Sequence, residues 1–160
     1  MLYLLLKTLH ITAVVMFLGN ISTGIFWKEH ADRTRDARLI AHAIAGIIHS
    51  DRLFTIPGVI LIVVGGVGTA MLGGYPLLRT GWILWSIGLF SLSGAAFGMW
   101  VAPLQRKMRD LMRAGAESGN PDWAAYQRLS RTWAFWGAVA LLAPAAAMVV
   151  MILKPSLPSF

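Results

Sequence analysis

The sequence predicts an all-α integral membrane protein, folded as an antiparallel four-helix bundle. Four segments of twenty or more residues carry no formally charged side chain: residues 8–27, 53–78, 80–105 and 132–153. Since roughly 20 apolar residues in a helix cross a hydrocarbon core about 30 Å thick, each segment can span a bilayer. The composition agrees, because 57% of the residues are hydrophobic and only 13% are charged, about half the charged fraction of soluble domains.

The first span is expected at about residues 2–27, within a single domain that covers residues 1–160. Its apolar run contains Lys7, is too long for the core of a signal peptide and lacks a small-residue cleavage pattern, so we interpret it as a membrane helix. The other three spans are expected at about residues 53–72, 81–104 and 132–153.

An amphipathic helix is expected to lead into the second span. Between residues 33 and 50, polar side chains such as Arg38 and His42 alternate at helical spacing with a stripe of isoleucines: Ile40, Ile44, Ile47 and Ile48. This helix either lies at the membrane interface or runs directly into the span. Pro57 then marks a kink or the first turn of the span.

The basic residues predict how the bundle is oriented. The net charge is +7, and the connections at residues 28–52 and 106–131 are rich in Arg and Lys, whereas the second connection holds only Arg79. Because cytoplasmic loops carry an excess of basic residues, both termini of this multi-pass protein are expected outside the cytoplasm. The expected partner is the lipid bilayer and not nucleic acid, because these charges flank apolar spans.

His10 is the leading candidate for a site residue. It lies about 12 Å along the first helix from Leu2, at a depth where ionisable residues usually face the bundle interior. Its imidazole either binds a metal, as in haem ligation, or donates a hydrogen bond to a neighbouring helix. Lys7, one turn earlier on the same face, either anchors the helix at the interface or pairs with an anionic group such as a propionate.

Other polar residues are expected to have structural roles. His42 and His49 share a helix face but lie roughly 10 Å apart, too far to chelate one metal, and His30 is expected to face solvent. Asp51 lies at the mouth of the second span, where it either anchors the helix end or closes a polar network. No acidic residue lies inside a predicted span, which disfavours an acidic proton relay or a cation-coupled transporter.

Small residues predict where helices pack closely. They recur at a spacing of four in the second span and again in the third: Gly65, Thr69 and Gly73; Gly66, Ala70 and Gly74; Gly94 and Gly98. This spacing lets membrane helices approach backbone to backbone. The same faces are candidates for a homo-oligomer or for a membrane partner.

Signatures of common enzymes are missing from the sequence. The chain has no cysteine, which excludes disulfides, iron–sulfur ligation and c-type haem attachment. It also lacks a nucleophile elbow, a phosphate-binding loop and a zinc motif. The residues alone therefore specify no reaction.

The motifs together resemble a bacterial family of integral membrane proteins, domain of unknown function 2269. Matching features occur along the whole chain: LKTLH at 6–10, DRLFTIP at 51–57, GGYP at 73–76, MRDL at 108–111, Tyr126 with Trp133, and Lys154-Pro155 at the close. The resemblance implies a four-span protein of the bacterial inner membrane and no particular activity.

More distantly, the chain is similar to the HemJ-type four-helix membrane protoporphyrinogen oxidases. It shares their Leu-His-Ile opening, which contains His10, a proline early in span two and a Lys-Pro ending. The resemblance implies haem b, with His10 as the iron ligand and Lys7 beside it. Residues 80–105 contain no histidine, so the second iron ligand would be Met148 or an open position.

Three functional hypotheses follow from these observations. The first is a membrane protein that binds haem or a porphyrin within the bundle and acts in redox chemistry. The second is a channel-like bundle that transports a small solute or an ion. The third is a non-catalytic subunit of a membrane assembly.

Overall fold

The computed structural model describes residues 1–159 and, over that range, contains helices and no strands. The helices are α1 (Leu2–Thr34), α2 (Ala37–Ser50), α3 (Ile56–Leu72), α4 (Gly81–Ala96), α5 (Ala102–Ser118) and α6 (Trp123–Leu153). Since α2 continues into α3 and α4 into α5, the chain forms four rods, each long and apolar enough to cross a membrane. The predicted all-α four-helix membrane fold is confirmed.

Two π-helical turns keep the second and third rods continuous. Asp51–Thr55 joins α2 to α3, and Phe97–Val101 joins α4 to α5. A proline follows each turn as the second residue of the next helix, Pro57 in α3 and Pro103 in α5. Proline lacks the N–H that would bond to the carbonyl four residues earlier, which favours a locally widened helix. The lead-in helix is α2, and it runs directly into the second span.

The rods are longer than a bilayer is thick, which divides the molecule into two halves. Ala37–Leu72 contains 36 residues and is about 54 Å long, against a hydrocarbon core of about 30 Å. In the half that holds the chain termini, α1 packs against α3 and α4 packs against α6. In the other half, α2 packs against α5 around four almost fully buried side chains: Ile40, Ile44, Met108 and Met112.

We call this second half the basic end, because its helices carry many of the arginines: Arg33, Arg38, Arg109, Arg113 and Arg128. The connections expected at residues 28–52 and 106–131 are therefore mostly helical, and the turns are confined to residues 35–36 and 119–122. The second turn is tight. Gly119 ends α5 with a φ of 72°, and a Cβ on Gly115 would lie 2.6 Å from Cα of Pro121.

The half with the termini exposes large apolar side chains on all of its rods: Leu4, Ile11, Ile60, Val64, Trp85, Phe135 and Leu142 among them. Soluble proteins rarely leave apolar surface of this extent uncovered. The backbone here is helical, so its polar groups are bonded within each rod, as a hydrocarbon environment requires. This half is the part of the molecule suited to lipid.

Gly65 and Gly66 bring α3 close to α1. A Cβ on Gly65 would lie 3.1 Å from the backbone nitrogen of His10, and a Cβ on Gly66 would lie 2.9 Å from Cε1 of its ring. The close helix approach predicted for these two glycines is confirmed. An added Cβ on Gly94 or Gly98 would meet no other described atom within 4 Å, so a partner for that face stays a prediction.

Candidate functional site

His10 lies at the contact between α1 and α3. Its Nδ1 donates a hydrogen bond over 2.8 Å to the carbonyl oxygen of Ile62, so the hydrogen-bonding role expected for this residue is confirmed. In a neutral imidazole, this leaves the lone pair on Nε2. A ring nitrogen fixed in this way by a carbonyl is typical of histidines that bind metals through the other nitrogen.

The other residues assigned to a haem site lie on the surface. Lys7 is exposed, and its Nζ lies 6.0 Å from the centre of the Tyr3 ring. Met148 on α6 is 37% exposed. His10, Lys7 and Met148 line neither of the two cavities described below. Within residues 1–159, no three His, Asp or Glu side chains converge as a metal site.

A groove of about 580 Å³ opens between α1 and α2. This volume lies within the range of about 300–1,000 Å³ that is usual for small-molecule sites. Trp27 and His30 line it from α1, and Leu39 and His42 line it from α2. The short turn at residues 35–36 folds α2 back along α1, and for this reason two histidines that are distant in sequence share one groove.

The outer part of the groove is aromatic, and two arginines are close to it in the sequence. The rings of Trp27 and His30 pack edge to face with centres 5.7 Å apart, and Phe26 stacks on His30 at 6.1 Å. Both Trp27 and Phe26 are more than half exposed. Arg35 and Arg38 are direct sequence neighbours of two lining residues. A flat ligand would therefore meet aromatic rings at this part of the groove.

The inner end of the groove belongs to a hydrogen-bonded network around Asp51. Asn20 and Ser50 line this end, and the Ser50 hydroxyl donates to Oδ1 of Asn20. Nδ2 of Asn20 donates to Oδ1 of Asp51 over 3.2 Å and to Oγ1 of Thr55 over 2.9 Å. Thr55 donates to Oδ1 of Asp51 over 2.8 Å, and Gln105 donates to Oδ2 over 3.1 Å.

Asp51 is a buried carboxyl group with three neutral donors and no cationic partner. The residue is 7% exposed, and no Lys, Arg or His of residues 1–159 forms an ion pair with it. Of the two roles expected for Asp51, closing a polar network is the one observed. Asp51 precedes the second charge-free run of the sequence. Because α2, the π-turn and α3 form one continuous rod, Asp51 nevertheless lies inside the bundle, about 30 Å from the end of α3 at Leu72.

A small cavity of about 20 Å³ lies beside this carboxyl group. Asp51, Asn20 and Gln105 line it together with Trp133 and several apolar side chains. Trp133 is 4% exposed, and its Nε1 has no hydrogen-bond partner in the described part of the chain. Two residues that line the cavity thus carry a buried acceptor and a buried, unpaired donor.

A second polar cluster joins α1 to α6 nearer the basic end. Nζ of Lys28, a residue only 4% exposed, lies 2.6 Å from Oδ2 of Asp32 and donates to the hydroxyl of Ser130. The hydroxyl of Tyr126 donates to Oδ1 of Asp32. Nζ of Lys28 also lies 5.3 Å from the centre of the Trp133 ring. Trp133 therefore separates this cluster from the cavity beside Asp51.

Sequence reasoning missed both the groove and the Lys28 cluster. No motif links His30 to His42, because their proximity depends on the angle at which α2 folds back. Lys28 and Asp32 are four residues apart, a spacing that indicates a helical ion pair, but their burial depends on α6. The available signal for the groove was the polar face of α2, which carries His42.

Comparison with known proteins identifies a family but no characterised relative. The family model described as predicted integral membrane protein (DUF2269) matches residues 4–155, nearly the whole chain. No curated protein and no protein of solved structure matches.

Proposed function

Because the chain belongs to the DUF2269 family of predicted integral membrane proteins, we propose that it acts at a membrane, where it binds a porphyrin-class ligand in the groove between α1 and α2. One observation carries the proposal. A groove of about 580 Å³ brings together His30, His42 and the exposed ring of Trp27.

The chemistry of the lining suits this class of ligand. A flat macrocycle can stack on Trp27 and His30, since aromatic surfaces pack favourably face to face or edge to face. Its acidic substituents can pair with Arg35 and Arg38, because a guanidinium group matches carboxylate geometry. The resemblance to membrane protoporphyrinogen oxidases supports a porphyrin-class ligand independently of the groove. It makes haem b a candidate, and a bound haem b would give the protein a role in redox chemistry.

A binding titration tests the proposal. The purified protein in detergent micelles is titrated with haem and with metal-free protoporphyrin while the absorption spectrum is recorded. We expect His30→Ala and His42→Ala to weaken binding at least tenfold, a loss of about 1.4 kcal/mol. His49→Ala is the matched control, since His49 lies on α2 outside the groove lining. Equal affinity in all three variants would contradict the groove as the site.

His10 offers a second position for the same ligand class. When the imidazole is neutral, the hydrogen bond from its Nδ1 to Ile62 leaves the lone pair on Nε2, the nitrogen that could then bind haem iron. In the same titration, the absorption spectrum of bound haem could be absent in His10→Ala and present in His30→Ala and His42→Ala. That result would place the ligand at His10. If the spectrum of bound haem is unchanged in His10→Ala, His10 is excluded as a binding position.

Transport of a small solute or an ion is a second candidate function. Asp51 favours it, because ionisable side chains inside membrane bundles often mark ion or proton pathways. The test is flux into proteoliposomes that contain the protein. We expect flux above that of empty vesicles and a loss of it in Asp51→Asn. Flux equal to that of empty vesicles across a broad panel of solutes would count against transport.

The basic end is proposed to face the cytoplasm of a bacterial inner membrane, which leaves both termini outside. The arginines of that end support this orientation. Because the chain has no cysteine, a single introduced cysteine can report the orientation of the protein directly. A membrane-impermeant maleimide should label Ser156→Cys in intact spheroplasts and Glu117→Cys only after lysis. The reverse pattern would invert the orientation.

A further inference from the structure

The cavity beside Asp51 forms a site of its own, whether or not the groove binds a porphyrin. We infer that it is an internal proton-binding site, in which one water molecule joins the carboxyl group of Asp51 to the indole N–H of Trp133. The inference rests on the volume of the cavity, on the partners that line it and on the surroundings of the carboxyl group.

The cavity has room for one water, and two of the residues that line it carry buried polar groups. Its volume of about 20 Å³ exceeds the roughly 10–15 Å³ that one water needs. A buried water needs two or more polar partners, and two of the lining residues, Asp51 and Trp133, carry polar atoms. Nε1 of Trp133 is a donor without a protein partner in the described residues, and Asp51 is an acceptor. A water there satisfies a donor that would otherwise be costly to bury.

The surroundings of Asp51 allow its carboxyl group to gain and lose a proton. Three hydrogen bonds from Asn20, Thr55 and Gln105 stabilise the carboxylate, while burial without a cation opposes it. Uptake of a proton adds it to a carboxylate oxygen and removes the buried charge. Release returns the proton to the adjacent water. Neither step requires a side chain to move out of the bundle.

No other titratable side chain lines the cavity. On the helices packed around it, Lys28 of α1 is held by Asp32 and Ser130. The remaining charged or titratable groups near this level are exposed: His49 of α2, Arg52 of the first π-turn, Arg106 of α5 and Arg131 of α6. Asp51 is therefore the group in the cavity that can titrate.

The groove provides the route for protons from the aqueous side. Asn20, Gly24 and Ile47 line both the groove and the cavity. One layer of side chains thus separates Asp51 from the groove, and glycine contributes no side chain to that layer. Exchange of protons with the groove is expected to be faster than exchange through the apolar half of the bundle.

Infrared difference spectroscopy across a pH titration tests the inference on the ligand-free protein. We expect the carbonyl band of one protonated, buried carboxylic acid per chain. The band should shift in D₂O and vanish in Asp51→Asn. Asp36→Asn is the matched control, because Asp36 is an exposed cap of α2 and should leave the band unchanged. A band that persists in Asp51→Asn, or no band at any pH, would overturn the inference.

Two further variants keep the test decisive. Trp133→Phe removes the indole donor and should change the frequency of the band, and an unchanged frequency would remove the water link to Trp133. If Asp51→Asn does not fold, the Gln105→Leu variant is measured instead. This variant retains the carboxyl group of Asp51 and deletes one of the hydrogen-bond donors to that group. The band should then shift, and an unshifted band would assign it to another group.

Discussion

Gln105 donates a hydrogen bond over 3.1 Å to Asp51, and this contact joins the two rods that contain π-helical turns. Asp51 begins the first turn, and Gln105 lies one helical turn beyond the second. A π-turn holds one extra residue, which rotates all later side chains by about 100° relative to an uninterrupted α-helix. The two turns therefore determine which polar side chains meet inside the bundle.

Replacement of Gln105 by leucine is expected to destabilise the protein by about 1–3 kcal/mol, because Oδ2 of Asp51 loses its hydrogen-bond donor while it stays buried. The measurement is the free energy of unfolding in detergent. In the Asp51→Asn background, the same replacement should cost less, because no carboxylate is left unsatisfied. Equal costs in the two backgrounds would show that the two side chains are not coupled.

Replacement of Lys28 by methionine is expected to cost at least about 2 kcal/mol, since Asp32 and Ser130 lose the cation that joins α1 to α6. Fully buried pairs lose about 3–5 kcal/mol when one partner is removed, and Asp32 is 29% exposed, which lowers the expected cost. Arg113→Met is the matched control, because its pair with Glu117 is exposed and worth about 0.5 kcal/mol or less. Similar losses in both variants would contradict a structural role for the Lys28 cluster.

Replacement of Gly66 by alanine should separate α1 from α3. The new Cβ would lie 2.9 Å from Cε1 of His10, so either the ring or the helix must shift, and we expect the hydrogen bond from the ring to Ile62 to weaken. We expect a loss of about 1–3 kcal/mol in unfolding free energy, as is usual for overpacked sites. Gly94→Ala enters open space and should lose no stability, because alanine favours a helix over glycine by about 0.5–1 kcal/mol. A stable Gly66→Ala protein would contradict the close approach.

The sequence predicted the parts of the fold that depend on hydrophobicity. Charge-free runs identified four spans, and the isoleucine stripe of α2 identified the lead-in helix. The helical nature of the basic connection at residues 106–131 was missed, because α5 has an amphipathic pattern that a search for uncharged runs cannot detect. Its apolar face, with Met108 and Met112, becomes visible only at a period of 3.6 residues.

The candidate site was less predictable, for two physical reasons. The burial of Asp51 depends on a rod that stays helical through a proline-linked π-turn, and proline alone also permits a break at Pro57. The groove depends on tertiary geometry, because His30 and His42 approach only when α2 folds back on α1. His10 was identified correctly as an inward-facing residue, since its depth in the first span is a local property.

Replacement of Gly46 by leucine tests whether the groove itself is the ligand site. Gly46 lines the groove, and an added Cβ would meet no described atom within 4 Å. A leucine side chain can therefore project into the groove and occupy part of it, and leucine also favours the helix more than glycine does.

We expect Gly46→Leu to retain its thermal stability and to weaken porphyrin binding at least tenfold, about 1.4 kcal/mol, in an absorption titration. The control is Gly19→Leu, because Gly19 is also open to an added Cβ but lies on α1 outside the lining. Loss of binding in both variants would point to a general effect of added bulk at a helix surface. Full binding in Gly46→Leu would count against the groove as the site, because the leucine side chain would occupy space that the ligand is proposed to use.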